Sequence, residues 1–168
     1  MTQPPVLPND PDTRMKYVCG FLFDKDNKSI VLIRKNHPPW QNGYMNGVGG
    51  WIKAEEEPVD AMQREFNEEA GMRLGGWKCF CTLNTMDAII YWFVDHVEYI
   101  VNHGHEEMMS VIRLNAPEPV YWCQVDHLNE LDLIPNTRWL ITMAMLGSNG
   151  LLGNVWPYTI WEPSKGPK

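Results

Sequence analysis

Apolar and polar positions fall into short blocks whose period changes along the chain. Residues 15–23 (MKYVCGFLF) and 29–34 (SIVLIR) are compact apolar runs separated by Asp24-Lys25-Asp26-Asn27. Apolar, β-branched and aromatic runs bounded by turn residues predict strands, so these two form a hairpin. Residues 35–46 hold Pro38, Pro39 and Gly43 and read as a loop, with Trp40 as an exposed aromatic. From 58 to 70 the period becomes helical: Val59, Met62, Phe66 and Ala70 recur as the buried stripe of a helix. Pro58 suits its first position, and Gly71 suits a left-handed exit. Residues 77–85 (WKCFCTLNT) and 89–98 (IIYWFVDHVE) predict two more strands, and 102–107 (NHGHEE) a polar loop. Residues 108–114 read as a short strand or extended loop, 120–125 as a strand, and 128–136 as a turn with a short helical piece. A second helix is predicted over 137–146, capped by Gly147.

The ends are less regular. Residues 1–14 carry four prolines and almost nothing apolar, which predicts an irregular arm. The tail places Trp156, Tyr158 and Trp161 among glycines and prolines, as an edge strand or as a cover over a pocket. No repeat and no internal boundary interrupts 15–168, which reads as one domain. Strands, helix, strands and helix follow one another without regular βαβ alternation. The expected fold is therefore α/β in the broad sense (α+β), a mixed sheet with helices on its faces.

Composition narrows the function. A chain of 168 residues with 44% apolar and 21% charged content is a folded globular protein. Its net charge of −7 and the lack of any Lys/Arg run argue against nucleic acid or a membrane as partner. Action on phosphates remains open if a bound metal supplies the positive charge. Cys79 and Cys81 would share one face of a strand and could not pair comfortably, and neither a CxxC nor a zinc spacing occurs among Cys19, Cys79, Cys81 and Cys123. Reduced thiols, with no secretory signal and no apolar run of membrane length, point to the cytoplasm.

The charged positions of the first helix change the picture most. Glu65, Glu68 and Glu69 stand at i, i+3 and i+4 and share one helix face. That face lies roughly 110° round from the apolar stripe, at the rim of whatever the helix covers. Three carboxylates so placed repel one another, and a hard divalent cation with oxygen ligands would hold them.

The stretch from Gly50 to Met72 (GWIKAEEEPVDAMQREFNEEAGM) resembles the Nudix box. Gly50, Glu56, Arg64, Glu65, Phe66, Glu68, Glu69, Gly71 and Met72 fill every fixed position at the family's spacing. The resemblance implies an α/β/α sandwich with a mixed sheet. It implies Mg²⁺ or Mn²⁺ held by Glu65, Glu68 and Glu69 with the Gly49 carbonyl, and Glu56 as a further carboxylate near the metal. Arg64 would orient a box glutamate. The general base would be Glu65, Glu69 or a later carboxylate among Glu106, Glu107 and Glu118.

The segment WQNGYMNGVGG (40–50) resembles Nudix members that hydrolyse nucleoside triphosphates, including oxidised purines. In these, Asn46 would read the base; otherwise it serves the turn. IPNTRW (134–139) resembles the place where those relatives carry acidic residues against the base, and here it holds Asn136. Trp122 and Trp139 could stack on a base or belong to the core. Substrate-facing candidates are thus Trp40, Asn46, Glu118, Asn136 and Trp139. The expected reaction converts a nucleoside triphosphate to its monophosphate and pyrophosphate. The alternatives are cleavage of ADP-ribose, a dinucleotide cofactor or a dinucleoside polyphosphate, and a non-catalytic nucleotide-sensing domain. The proline that ADP-ribose hydrolases often carry downstream of the box is absent around Asp87 and Ala88. A homodimer is compatible with the sequence.

Overall fold

The computed structural model describes residues 14–98, 109–114, 117–148 and 158–161; the side chains of Ser110, Ser148 and Trp161 are outside that description. Eight strands, β1 (Met15–Asp24), β2 (Ser29–Arg34), β3 (Met45–Asn46), β4 (Lys78–Asn84), β5 (Ala88–Val97), β6 (Met109–Arg113), β7 (Val120–Gln124) and β8 (Tyr158–Trp161), form one sheet. Its order is β6-β7-β2-β1-β5-β4-β8, with β3 paired to β2. β1 runs antiparallel to β2 but parallel to β5, so the sheet is mixed. Among the described residues the α-helices are α1 (Pro58–Ala70) and α2 (Thr137–Ser148). Among the described residues no helix is long and apolar enough to cross a membrane.

Strand alternation builds the layers. Successive side chains of a strand point to opposite faces. Cys19, Phe21 and Phe23 of β1 pack with Leu140, Ile141 and Ala144 of α2, while Val18 and Leu22 pack with Ala61, Met62 and Phe66 of α1. The result is a sheet covered by one helix on each face. Gly20 lets α1 approach: a Cβ there would lie 2.7 Å from the Met62 sulfur and 2.9 Å from the Trp77 ring. α1 begins at Pro58 after extended Glu57 and ends at Gly71, whose φ of 75° is left-handed.

Three expectations need correction. Val59 is 37% exposed, because the buried arc of α1 is rotated toward Ala61 and Glu65. Cys79 and Cys81 do not share a face. A bulge between them shifts the register of β4 on β5, sending Cys79 to the α1 side and Cys81 to the α2 side. α2 passes through Gly147 to Ser148 instead of being capped there. Of the two readings open for Trp122, the structure gives the core one, on the α1 side. The predicted tail strand is real at Tyr158–Trp161, which adds to β4 in parallel. Of the N-terminal arm only Arg14 is described; its guanidinium bonds Asn84 Oδ1 and the Thr85 carbonyl. The 102–107 loop, with Glu106 and Glu107, lies outside the described residues.

Candidate active site

The glycine turn places its backbone against β1. Val48 N–H donates to the Gly20 carbonyl, Gly20 N–H donates back, and Val18 N–H donates to the Gly50 carbonyl at 2.8 Å. The packing allows no side chain here: a Cβ on Gly49 would lie 2.1 Å from the Val18 carbonyl oxygen. A Cβ on Gly50 would lie 2.5 Å from the Glu65 carboxylate. The turn thus presses directly on the carboxylate face of α1.

Arg64 organises that face. Its Nε and Nη2 donate to the two oxygens of Glu56 at 2.8 Å each, a bidentate pair. Nη1 donates to Glu65 Oε1 at 2.6 Å, and Nη2 also reaches the Trp51 carbonyl at 3.1 Å. The hydrogen bond from Arg64 holds the Glu56 carboxyl down at about 2. Glu65 is only 8% exposed, Glu69 is half-buried and Glu68 is exposed. Glu69 accepts a hydrogen bond from Gly49 N–H at 3.2 Å. Burial, reinforced by the nearby Glu65 and Glu118 charges, pushes its carboxyl up to about 7 against the opposing pull of Lys35. A buried carboxyl so raised is a group whose charged form needs a cation. Glu65, Glu68 and Glu69 with the Gly49 carbonyl are a hard oxygen set suited to Mg²⁺ or Mn²⁺. Among the described residues, no three carboxylates already converge into a closed cage. Glu65 is drawn toward Arg64 and Glu69 toward Gly49.

Two cavities lie at this face. One, of about 440 Å³, is lined by Glu65, Glu68, Glu69, Glu118, Lys35, His37 and Arg113. The other, of about 500 Å³, is lined by Asn46, Asn136, Trp40, Tyr17, Trp92, Ile134, Gly49 and Gly50, and again by Lys35 and His37. Asn46 and Asn136 are brought together by β3. Met45 N–H donates to the Asp132 carbonyl at 2.7 Å and Ile134 N–H to the Met45 carbonyl at 3.1 Å, setting the start of α2 beside the loop. Thr137 Oγ1 donates to Asn46 Oδ1 at 2.9 Å. Trp40, 64% exposed, stands at the rim. Trp139 is 37% exposed on α2 and does not line this cavity.

Lys35, His37, Arg113, Thr137, Tyr17 and Trp92 are the site residues that sequence reasoning missed. No local signal marks them. Only the register of β2 against β7 and β3 could reveal Lys35, and only the pairing of β1 with β5 could set Tyr17 and Trp92 in one wall.

Fold and site define a class: a mixed sheet between two helices, with a carboxylate-bearing helix under a glycine turn. The family model described as the NUDIX domain matches residues 13–142, and the chain belongs to the Nudix family of hydrolases. Solved structures similar in fold include the NUDIX domain of Shewanella oneidensis NrtR complexed with ADP ribose. That match has TM-score 0.65 and 17% identity, covering 83% of this chain and 93% of that one. An ADP-ribose pyrophosphatase from Streptococcus suis matches with TM-score 0.60 and 17% identity over 89% of this chain and 100% of its own. The mutator MutT protein from Bacillus halodurans matches with TM-score 0.57 and 17% identity over 89% and 91%. At these identities the likeness concerns the fold. No curated protein matched the chain significantly.

Proposed function

We propose that this Nudix hydrolase cleaves nucleoside triphosphates, releasing the monophosphate and pyrophosphate. The observation that carries this reading is that Lys35 and His37 line both cavities, one beside the carboxylates and one beside Asn46 and Asn136. A base and sugar fit the cavity of about 500 Å³, with the phosphates passing Lys35 toward α1. Asn46 and Asn136 offer neutral amides to a base edge. Lys35 and Arg113 offset phosphate charge in a chain of net charge −7.

Glu65, Glu68 and Glu69 with the Gly49 carbonyl would hold Mg²⁺ or Mn²⁺, with Glu56 acting through Arg64. The bound cation would neutralise phosphate oxygens and acidify a water. Arg64, always protonated, keeps Glu56 and Glu65 in place. Water adds to phosphorus, the α–β phosphoanhydride bond breaks, and the proton passes to a carboxylate. Glu69 suits that role better than Glu65, which is committed to Arg64, and better than Glu118, both of whose oxygens are engaged.

The test is a release assay for pyrophosphate, phosphate and monophosphate with canonical and oxidised nucleoside triphosphates, ADP-ribose, dinucleotide cofactors and dinucleoside polyphosphates. It is run with Mg²⁺ and with Mn²⁺. Turnover of triphosphates well above the others is the expected result. Turnover confined to ADP-ribose or dinucleotides would replace the proposal with that reading. No turnover of any substrate would leave the nucleotide-sensing reading.

A further inference from the structure

Glu118 lines the cavity of about 440 Å³ beside Lys35 and His37, which line both cavities. It is buried, two residues before β7, where that strand begins beside the end of β2. Its Oε2 accepts from the Lys35 ammonium. Its Oε1 accepts from the Asn36 N–H at 2.5 Å and the His37 N–H at 3.2 Å. One carboxylate therefore grips the side chain of Lys35 and the peptide that follows it. The Lys35 backbone is fixed separately: its N–H donates to the Tyr44 carbonyl and its carbonyl accepts from Gly43, both within 2.9 Å. What Glu118 adds is the direction of the ammonium.

We propose that Glu118 is a positioning residue that holds Lys35, which lines both cavities, as an anchor for the phosphate chain, and keeps it off Glu69. The inference rests on the nucleotide reading above. A lysine head is a compact charge on a flexible four-carbon stem, so its position depends on its partner. Lys35 lines the same cavity as Glu69 and is close enough to stabilise that carboxylate. Released from Glu118, the ammonium would pair with Glu69, occupying a proposed metal ligand and withdrawing its charge from substrate. Glu118 itself cannot readily take a proton from water. Burial works against its charge, but the Lys35 ammonium and two backbone N–H groups outweigh burial and hold its carboxyl below the usual range.

The test measures calorimetric binding of inorganic pyrophosphate in the presence of Mg²⁺. The proteins are wild type, Glu118→Gln, Lys35→Met and the double variant. Lys35→Met and Glu118→Gln should each weaken binding by about tenfold, the scale of one charge-assisted hydrogen bond. The double variant should bind no worse than Lys35→Met alone. Glu118→Gln should also raise the Mg²⁺ concentration needed for half-saturation, an effect a merely structural change would not produce and Lys35→Met should reverse. On any substrate turned over, its KM should rise more than its kcat falls, with both limbs of the pH profile retained.

Unchanged pyrophosphate affinity in Glu118→Gln, or losses that multiply in the double variant, would overturn the proposal. So would a kcat collapse with loss of one limb of the pH profile, which would make Glu118 a base. A wild type that fails to bind pyrophosphate overturns it as well. Should Glu118→Gln not fold, unchanged affinity in Lys35→Met alone is decisive against it. Failure of the nucleotide reading shows separately, as absence of turnover by wild type across the substrate panel.

Discussion

Thr137, fully buried at the first position of α2, donates its hydroxyl to Oδ1 of Asn46, 91 residues earlier in the chain. The bond orients the amide. With Oδ1 engaged, Asn46 meets a ligand in the cavity chiefly through its Nδ2 hydrogens, as a donor. Donation suits a base edge that presents an acceptor, such as a purine N7 or a carbonyl oxygen. Asn136 is the residue just before Thr137 and lines the same cavity.

Replacing Thr137 with Val keeps the shape and frees the amide to rotate. The ratio of kcat/KM for guanine over adenine triphosphates should fall by about tenfold, the scale of one hydrogen bond, with the sum of activities less affected. A matched loss on every base would show that Asn46 serves the turn and does not read the base.

The two adjacent glycines should respond differently to alanine. At Gly49 the new Cβ meets the backbone oxygen of Val18, which cannot yield, so Gly49→Ala should destabilise the fold by several kcal/mol or abolish it. At Gly50 it meets the end of the Glu65 side chain, which can move. Gly50→Ala should therefore keep a cooperative melt while losing metal affinity and activity by roughly tenfold or more. Equal melting temperatures for the two variants would contradict this packing.

Glu69 carries a pH signature. Its carboxyl is raised from 4.5 to about 7, so the metal-free native state holds a proton that the unfolded chain has lost between those values. Its contribution to stability is full below about 4.5 and lost as pH rises through about 7. Glu69→Gln removes that loss, so the metal-free variant should melt a few degrees above wild type at pH 8 and close to it at pH 4. Cation binding demands the charged form, so wild-type Mg²⁺ affinity should rise with pH through about 7, and Glu69→Gln should flatten that rise. Thermal melts at pH 4 and 8, and metal titrations at pH 5, 7 and 8, check the two expectations.

Trp139 stands on the exposed side of α2, away from the cavity that Trp92 lines. Trp139→Ala should leave nucleotide KM within about twofold, as surface changes do. Trp92→Leu should raise it, since Trp92 forms cavity wall and stacks on Phe21 at 5.3 Å. A Trp139→Ala KM raised as far as that of Trp92→Leu would restore Trp139 to the site.

Local chemistry was enough for the elements that local chemistry controls. The span of α1 follows from Pro58, the helical period and Gly71, and β2 from its bounded apolar run. The box residues are consecutive or one turn apart, so their mutual placement is a property of a single helix and the turn before it. Val59, Cys79 and Trp139 show where this ends. The buried arc of a helix is set by what it packs on, a strand's faces are exchanged by one bulge, and an aromatic near a motif need not line the cavity beside it.

The sequence by itself determined the family, the strand and helix content, and the carboxylates and arginine of the box to which the proposal assigns the chemistry. The tertiary structure alone decided which residues stand opposite them. Lys35 faces Glu118 because β2 ends where β7 begins, and Asn46 faces Thr137 because β3 draws the 132–134 segment alongside. Such contacts join positions 83 and 91 residues apart, and no periodicity or spacing within one element encodes them. They arise only when strand pairing closes the sheet and brings distant loops to one edge.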